Sequence, residues 1–182
     1  MIEQVLRYYS SPGRHYHTIG HIEDCLQQLA RIEGLNGEER EILTQAFLWH
    51  DAVYDPVRSD NEECSAALAV GHCDAGIRDE IRRLILLTKS HIVDDTDRLG
   101  SIMVSIDLSI LGADAAGYAK YAAAIREEYG HVPQADYTKG RAAVLKRFLE
   151  RPVIFPYPPL RERLEQAARR NITKEMTELT EQ

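Results

Sequence analysis

Two histidines and two aspartates of this chain, His21, the adjacent pair His50-Asp51 and Asp107, have the types and spacing to hold one divalent cation. Asp107 stands out most, because the stretch 102–111 (IMVSIDLSIL) is apolar on both sides of a single carboxylate. A carboxylate buried there alone would be costly or would take up a proton, and a neighbouring cation removes the difficulty. His50 continues the apolar stripe of Ile42, Leu43, Ala46 and Phe47 at helical period, so its imidazole is expected to face the core. Two neutral imidazoles and two carboxylates form a nitrogen and oxygen shell suited to an octahedral ion completed by water. Mn, Mg, Fe, Co or Ni fits that shell; structural zinc, which favours cysteine, fits it less well.

The elements that must position these groups read as helices, and strand signals are weak throughout. Ile22, Cys25, Leu26, Leu29 and Ile32 outline a first helix ending near Gly34, with Asn36-Gly37 as the break. A second covers 38–51 and stops before Pro56. Neighbouring residues on a helix diverge by about 100°, so His50 and Asp51 can share an ion only if it sits over the helix end. Asp60 or Asn61 is expected to cap a third helix, with Glu63 completing a capping box. A fourth runs near 75–88, and Thr96 or Asp97 caps the segment leading into Asp107. Two more cover 113–129 and 136–149, the proline-rich stretch 152–159 is expected to be an extended loop, and a last helix spans 160–179. Seven to nine helices with short connections predict an all-α bundle, without repeats or low-complexity tracts.

Beyond these four residues lie longer motifs: RHYHTIGHI (14–22), FLWHDAVYD (47–55), NEECSA (61–66), TKSH (88–91), DLSILG (107–112) and YAKYAAAIREEY (118–129). In this order they resemble the HD superfamily of metal-dependent phosphohydrolases, and within it a subgroup of stand-alone bacterial HD proteins. The likeness covers most of the chain, from about residue 9 to about residue 175. It implies a single all-α HD domain over 1–182, with the metal-ligand core at about 14–112 and a helical extension at about 113–182. It also implies His21, His50, Asp51 and Asp107 as metal ligands. The activity implied is hydrolysis of a phosphate ester or anhydride of a small molecule, a nucleotide foremost, by a metal-activated water.

Around this core, Asp55 lies one turn beyond Asp51 and is the first candidate for proton transfer, with Glu62 the second. Asp55 also reads as the turn residue before Pro56, and Glu62 as a helix N-terminal charge. Arg14, His17, Lys89 and His91 are the candidates for substrate binding, arginine being suited to a bidentate grip on phosphate. His17 is also an alternative to His21 as first ligand. Two further functions stay open: a dinuclear HD phosphodiesterase or oxygenase, for which His72 or His91 would add ligands, and a non-catalytic ligand sensor that keeps the cage. Tyr118, Tyr121 and Tyr129 are expected to pack with their hydroxyls at a rim.

Composition limits the partners. At 182 residues with 44% hydrophobic and 28% charged side chains, the chain can bury a full core in one domain. A net charge of −7 argues against a general nucleic-acid or anionic-membrane surface and leaves a small phosphorylated substrate as the expected partner. Oligomeric state leaves no readable mark. The start MIEQVLRYYS has neither a basic region nor an apolar run, so a cytoplasmic protein is expected. Cys25, Cys64 and Cys73 form no CxxC and read as reduced, mostly buried thiols.

Overall fold

A computed structural model describes residues 2–181, and among them every regular element is helical. Chain contacts divide it after Asp107 into two compact units. The first holds α1 (Ile2–Tyr9), α2 (Ile19–Ala30), α3 (Gly37–Trp49), α4 (Asn61–Val70), α5 (Arg78–Leu87) and α6 (Arg98–Asp107). The second holds a 3-10 turn (Leu108–Gly112), α7 (Ala115–Glu128), α8 (Gln134–Glu150) and α9 (Pro158–Thr180). The all-α expectation, with seven to nine helices, therefore holds for the described residues.

In the first unit α3 is the central element, touching α1, α2, α4, α5 and α6. Its C-terminal half shows why: Ile42, Leu43, Ala46, Phe47, Leu48 and Trp49 are all buried, more than one face can account for. A helix apolar nearly all round has to be enclosed by others. Asn36 starts it with a capping box, its side chain accepting from the Glu39 amide at 2.8 Å while Glu39 accepts from the Asn36 amide at 2.9 Å. Helix α6 is likewise buried from Gly100 to Ile106. Asp97 begins it, accepting from the Gly100 amide at 2.9 Å. A Cβ at Gly100 would collide with that same Asp97 side chain and with Val93, so this close cap requires glycine.

Three local expectations need correction. Asp60 precedes α4 without a side-chain cap, because its carboxylate is taken by Arg58, while Glu63 reaches Lys89 instead of completing a box. Pro158 and Pro159 belong to the first turn of α9 and not to the loop, since proline at the first helical positions gives up an amide that has no helical partner there. Cys64 and Cys73 are half-buried; Cys25 alone of the three thiols is buried.

In the second unit α9 packs on α8 and on the 3-10 turn. Gly112 allows the latter, since a Cβ there would press on Leu164 at 2.7 Å. The loop before α9 is held by charged side chains. Glu165 accepts from the amides of Ile154 and Phe155, Arg161 donates to the carbonyls of Phe155 and Pro156, and Arg169 donates to those of Leu149, Arg151 and Pro152. These bonds supply partners that a non-helical backbone cannot find in itself. No single helix among the described residues is long and apolar enough to cross a membrane.

Candidate metal centre

Within the first unit, α2 contributes His21, the C-terminal end of α3 contributes His50 and Asp51, and the last residue of α6 contributes Asp107. Helix α3 ends at Trp49, with His50 as its C-cap, which puts the doublet over the helix end as its adjacency requires. There the four side chains converge. His21 Nε2 lies 3.2 Å from His50 Nε2, 3.7 Å from Asp51 Oδ2 and 3.2 Å from Asp107 Oδ1. His50 Nε2 lies 3.0 Å from Asp51 Oδ2 and 3.4 Å from Asp107 Oδ1. Ligands at about 2.1 Å from a shared ion stand about 3.0 Å apart at octahedral angles and about 3.4 Å apart at tetrahedral ones, so these separations fit a common cation. His21, His50 and Asp51 could hold a metal ion on this spacing.

The donor chemistry fits too. His50 Nδ1 lies 3.0 Å from the Phe47 carbonyl, which can only accept, so Nδ1 carries the proton and Nε2 of the neutral ring presents its lone pair inward. The Tyr16 hydroxyl stands 3.1 Å from His21 Nδ1 and, when it accepts there, leaves Nε2 of the other imidazole bare as well. With both Nε2 atoms unprotonated, their lone pairs face one another and the two carboxylate oxygens. A cation between them, flanked by two carboxylate oxygens, satisfies all four groups.

The electrostatics carry the same message. Burial alone would push the His50 imidazole down, but Asp51 and Asp107 outweigh it and hold His50 well above the usual histidine value. Burial pushes the Asp51 carboxyl up, yet the neighbouring His50, His17 and His21 hold it well below the usual carboxylate range. Asp107 is likewise held well below that range, its burial outweighed by bonds from His21, His50 and His91. Two carboxylates kept ionised beside buried imidazoles make a site that attracts positive charge.

Cys25, one turn after His21, is a neighbour that the ligand reading passed over. His21, Cys25 and Asp107 also meet the spacing for a metal group. However, its sulfur is 3.9 Å from Nδ1 and 3.8 Å from Nε2 of His21, equidistant from both ring nitrogens and so off the Nε2 lone-pair axis. Burial, then Asp107 and Asp51, push this thiol well up, which keeps it protonated. Cys25 packs on the His21 ring, and its position four residues on was the available signal.

The remaining candidates surround this cluster in different ways. The His17 ring stacks on Tyr54 at 4.0 Å and lies near enough to Asp51 to help hold its carboxyl down. Arg14 donates to the carbonyls of His17, Asp51 and Ala52 at 2.7, 2.8 and 3.0 Å, with Tyr9 and Tyr54 against its guanidinium. It thereby clamps the backbone of the doublet. Lys89, exposed, donates to the Ser59 carbonyl at 2.7 Å and to Glu63 at 2.5 Å. His91 Nε2 lies 2.9 Å from Asp107 Oδ2. Asp55 is exposed and its Oδ1 accepts from the Val57 amide at 3.0 Å, closing a turn. Glu62 is half-buried in the first turn of α4. His72 packs on Trp49 and donates from Nδ1 to the Leu68 carbonyl at 2.8 Å. Protein-family models, curated proteins and solved structures offer no match to this chain, so its own side chains carry the functional reading.

Proposed function

We propose that this chain is a metal-dependent phosphohydrolase of the HD type, acting on a small phosphorylated molecule, a nucleotide foremost. The observation that carries the reading is the convergence of His21, His50, Asp51 and Asp107, two imidazole nitrogens and two carboxylate oxygens from three helices, around one point. A divalent ion held by these four residues, Mn, Mg, Fe, Co or Ni, would polarise a phosphoryl oxygen and lower the pKa of water at neutral pH. The Phe47 carbonyl fixes the His50 ring, and the Arg14 clamp on the Asp51 and Ala52 carbonyls keeps the doublet from turning with the chain beyond the helix. Glu62 and Asp55 are the carboxylates proposed to move the proton, Glu62 being the less exposed of the two. Free thiols support a cytoplasmic setting.

A screen of metal-loaded protein over nucleotides, sugar phosphates and pyrophosphates tests the proposal. It expects turnover that needs the ion and disappears in Asp51→Ala. Tight binding of one of these compounds without turnover under any of the five metals would overturn it in favour of a sensor.

A further inference from the structure

Helix α5 does not end as helices usually do. The chain winds on through Thr88 and Ser90 to His91, whose amide donates to the Leu87 carbonyl at 2.8 Å, and His91 itself sits at φ +52°. Glycine commonly fills such a left-handed position, because a Cβ there crowds the following carbonyl. His91 is the only non-glycine residue with positive φ among the described residues. Its side chain accounts for the exception. Nε2 meets Asp107 Oδ2 at 2.9 Å, and since a carboxylate accepts, Nε2 carries the proton. The other oxygen, Oδ1, is the one turned towards His21 and His50 at 3.2 and 3.4 Å.

We propose that His91 is a positioning residue for the metal centre, its Nε2 proton pinning one Asp107 oxygen so that the other faces the imidazole pair. The inference rests on the metal-binding reading above and adds a division of labour within one carboxylate. A carboxylate on the last residue of a helix can rotate between one-oxygen and two-oxygen contact, and a donor on Oδ2 removes that freedom before the ion arrives. Glycine at 91 would suit the backbone better and leave Asp107 unpinned. Metal affinity and chain stability thus part company at this residue.

The test compares His91→Gly and His91→Gln with the unchanged chain, measuring Mn2+ stoichiometry and Kd by titration calorimetry and the thermal midpoint of chelated protein. One ion per chain is expected in all three. His91→Gly should weaken Mn2+ about 10- to 100-fold, the range typical of lost outer-shell partners, with the chelated midpoint close to that of the unchanged chain. His91→Gln, whose amide nitrogen reaches about as far as Nε2, should recover part of the affinity. Equal Mn2+ affinity in His91→Gly would overturn the inference and leave the metal centre standing. A chelated midpoint that collapses in His91→Gly, with no rescue by His91→Gln, would also overturn it, in favour of a merely structural role. Two ions in the unchanged chain and one in His91→Gly would make His91 a ligand. No Mn2+ bound to the unchanged chain would bring down both readings together.

Discussion

Each unit buries one cluster of ionisable side chains, and the two are built on opposite electrical plans. In the second unit Arg141 donates from Nε and Nη2 to the two oxygens of Glu175 at 2.7 and 3.0 Å, Tyr118 donates to Glu175 at 2.5 Å, and Arg141 Nη1 donates to Tyr121 at 3.3 Å. One cation meets one anion, and two hydroxyls fill what is left. Burial and Glu175 push the Tyr118 hydroxyl up, so it stays protonated as a donor. The first unit instead directs two carboxylates and two imidazoles at one point, with negative charge in excess while the rings are neutral. The comparison teaches that burial of charge alone does not mark a functional site. Closure marks a strut; a deficit of positive charge aimed inward marks a binding centre.

The largest effect that would sharpen this contrast is expected from Asp107→Ala, which should abolish tight metal binding and with it turnover; unchanged metal content by elemental analysis would break the ligand assignment. Arg141→Met comes next. It should destabilise the chain by about 3–5 kcal/mol in denaturant titration, the typical effect of orphaning one member of a buried pair, while metal stoichiometry stays the same. A loss of metal in that variant would erase the distinction between the clusters.

A third prediction concerns protons. Because the His50 value is raised in the folded chain, its contribution to ion-free stability is present below about pH 6.5, the unfolded value, and is lost as pH climbs through the folded one. Metal binding needs that nitrogen bare. Ion-free stability should therefore fall with rising pH above neutrality while metal affinity rises, and calorimetry in buffers of different ionisation enthalpy should show proton release on binding. Asp51 and Asp107, being depressed, contribute stability above about pH 3.9 that is lost only in strong acid. The smallest effect is expected from Asn36→Ala, about 1 kcal/mol from the lost cap of α3, with the metal count unaltered.

The two clusters also differ in how far a reader of the sequence can see them. His50 is legible because it extends the buried stripe of α3, and Asp107 because an acid stands alone in an apolar run. Arg141 and Glu175 are not: each sits among other charged residues of a long amphipathic helix and reads as a solvated charge. Tyr118, expected at a rim, is buried for the same reason, as its partner comes from a helix far along the chain. Caps were legible in kind but not in place. Asp60 and Glu63 have the spacing of a box, yet Arg58 and Lys89 take them, whereas Asn36, read with Gly37 only as a break, forms a box with Glu39 even though Arg98 also reaches that carboxylate. His91 was visible as a candidate for substrate binding or a second ion, but its backbone was not, since a left-handed conformation leaves no trace in residue type unless glycine occupies it.

The candidate ligands come from α2, the end of α3 and the end of α6, so an ion bound there would tie the early part of the first unit to its last residue. At a free concentration of about 100 times its Kd, such an ion adds about 2.7 kcal/mol to stability. If the proposed ion is bound, a cell starved of it would expose the chain to proteases more often, and scarcity would shorten the lifetime of the protein.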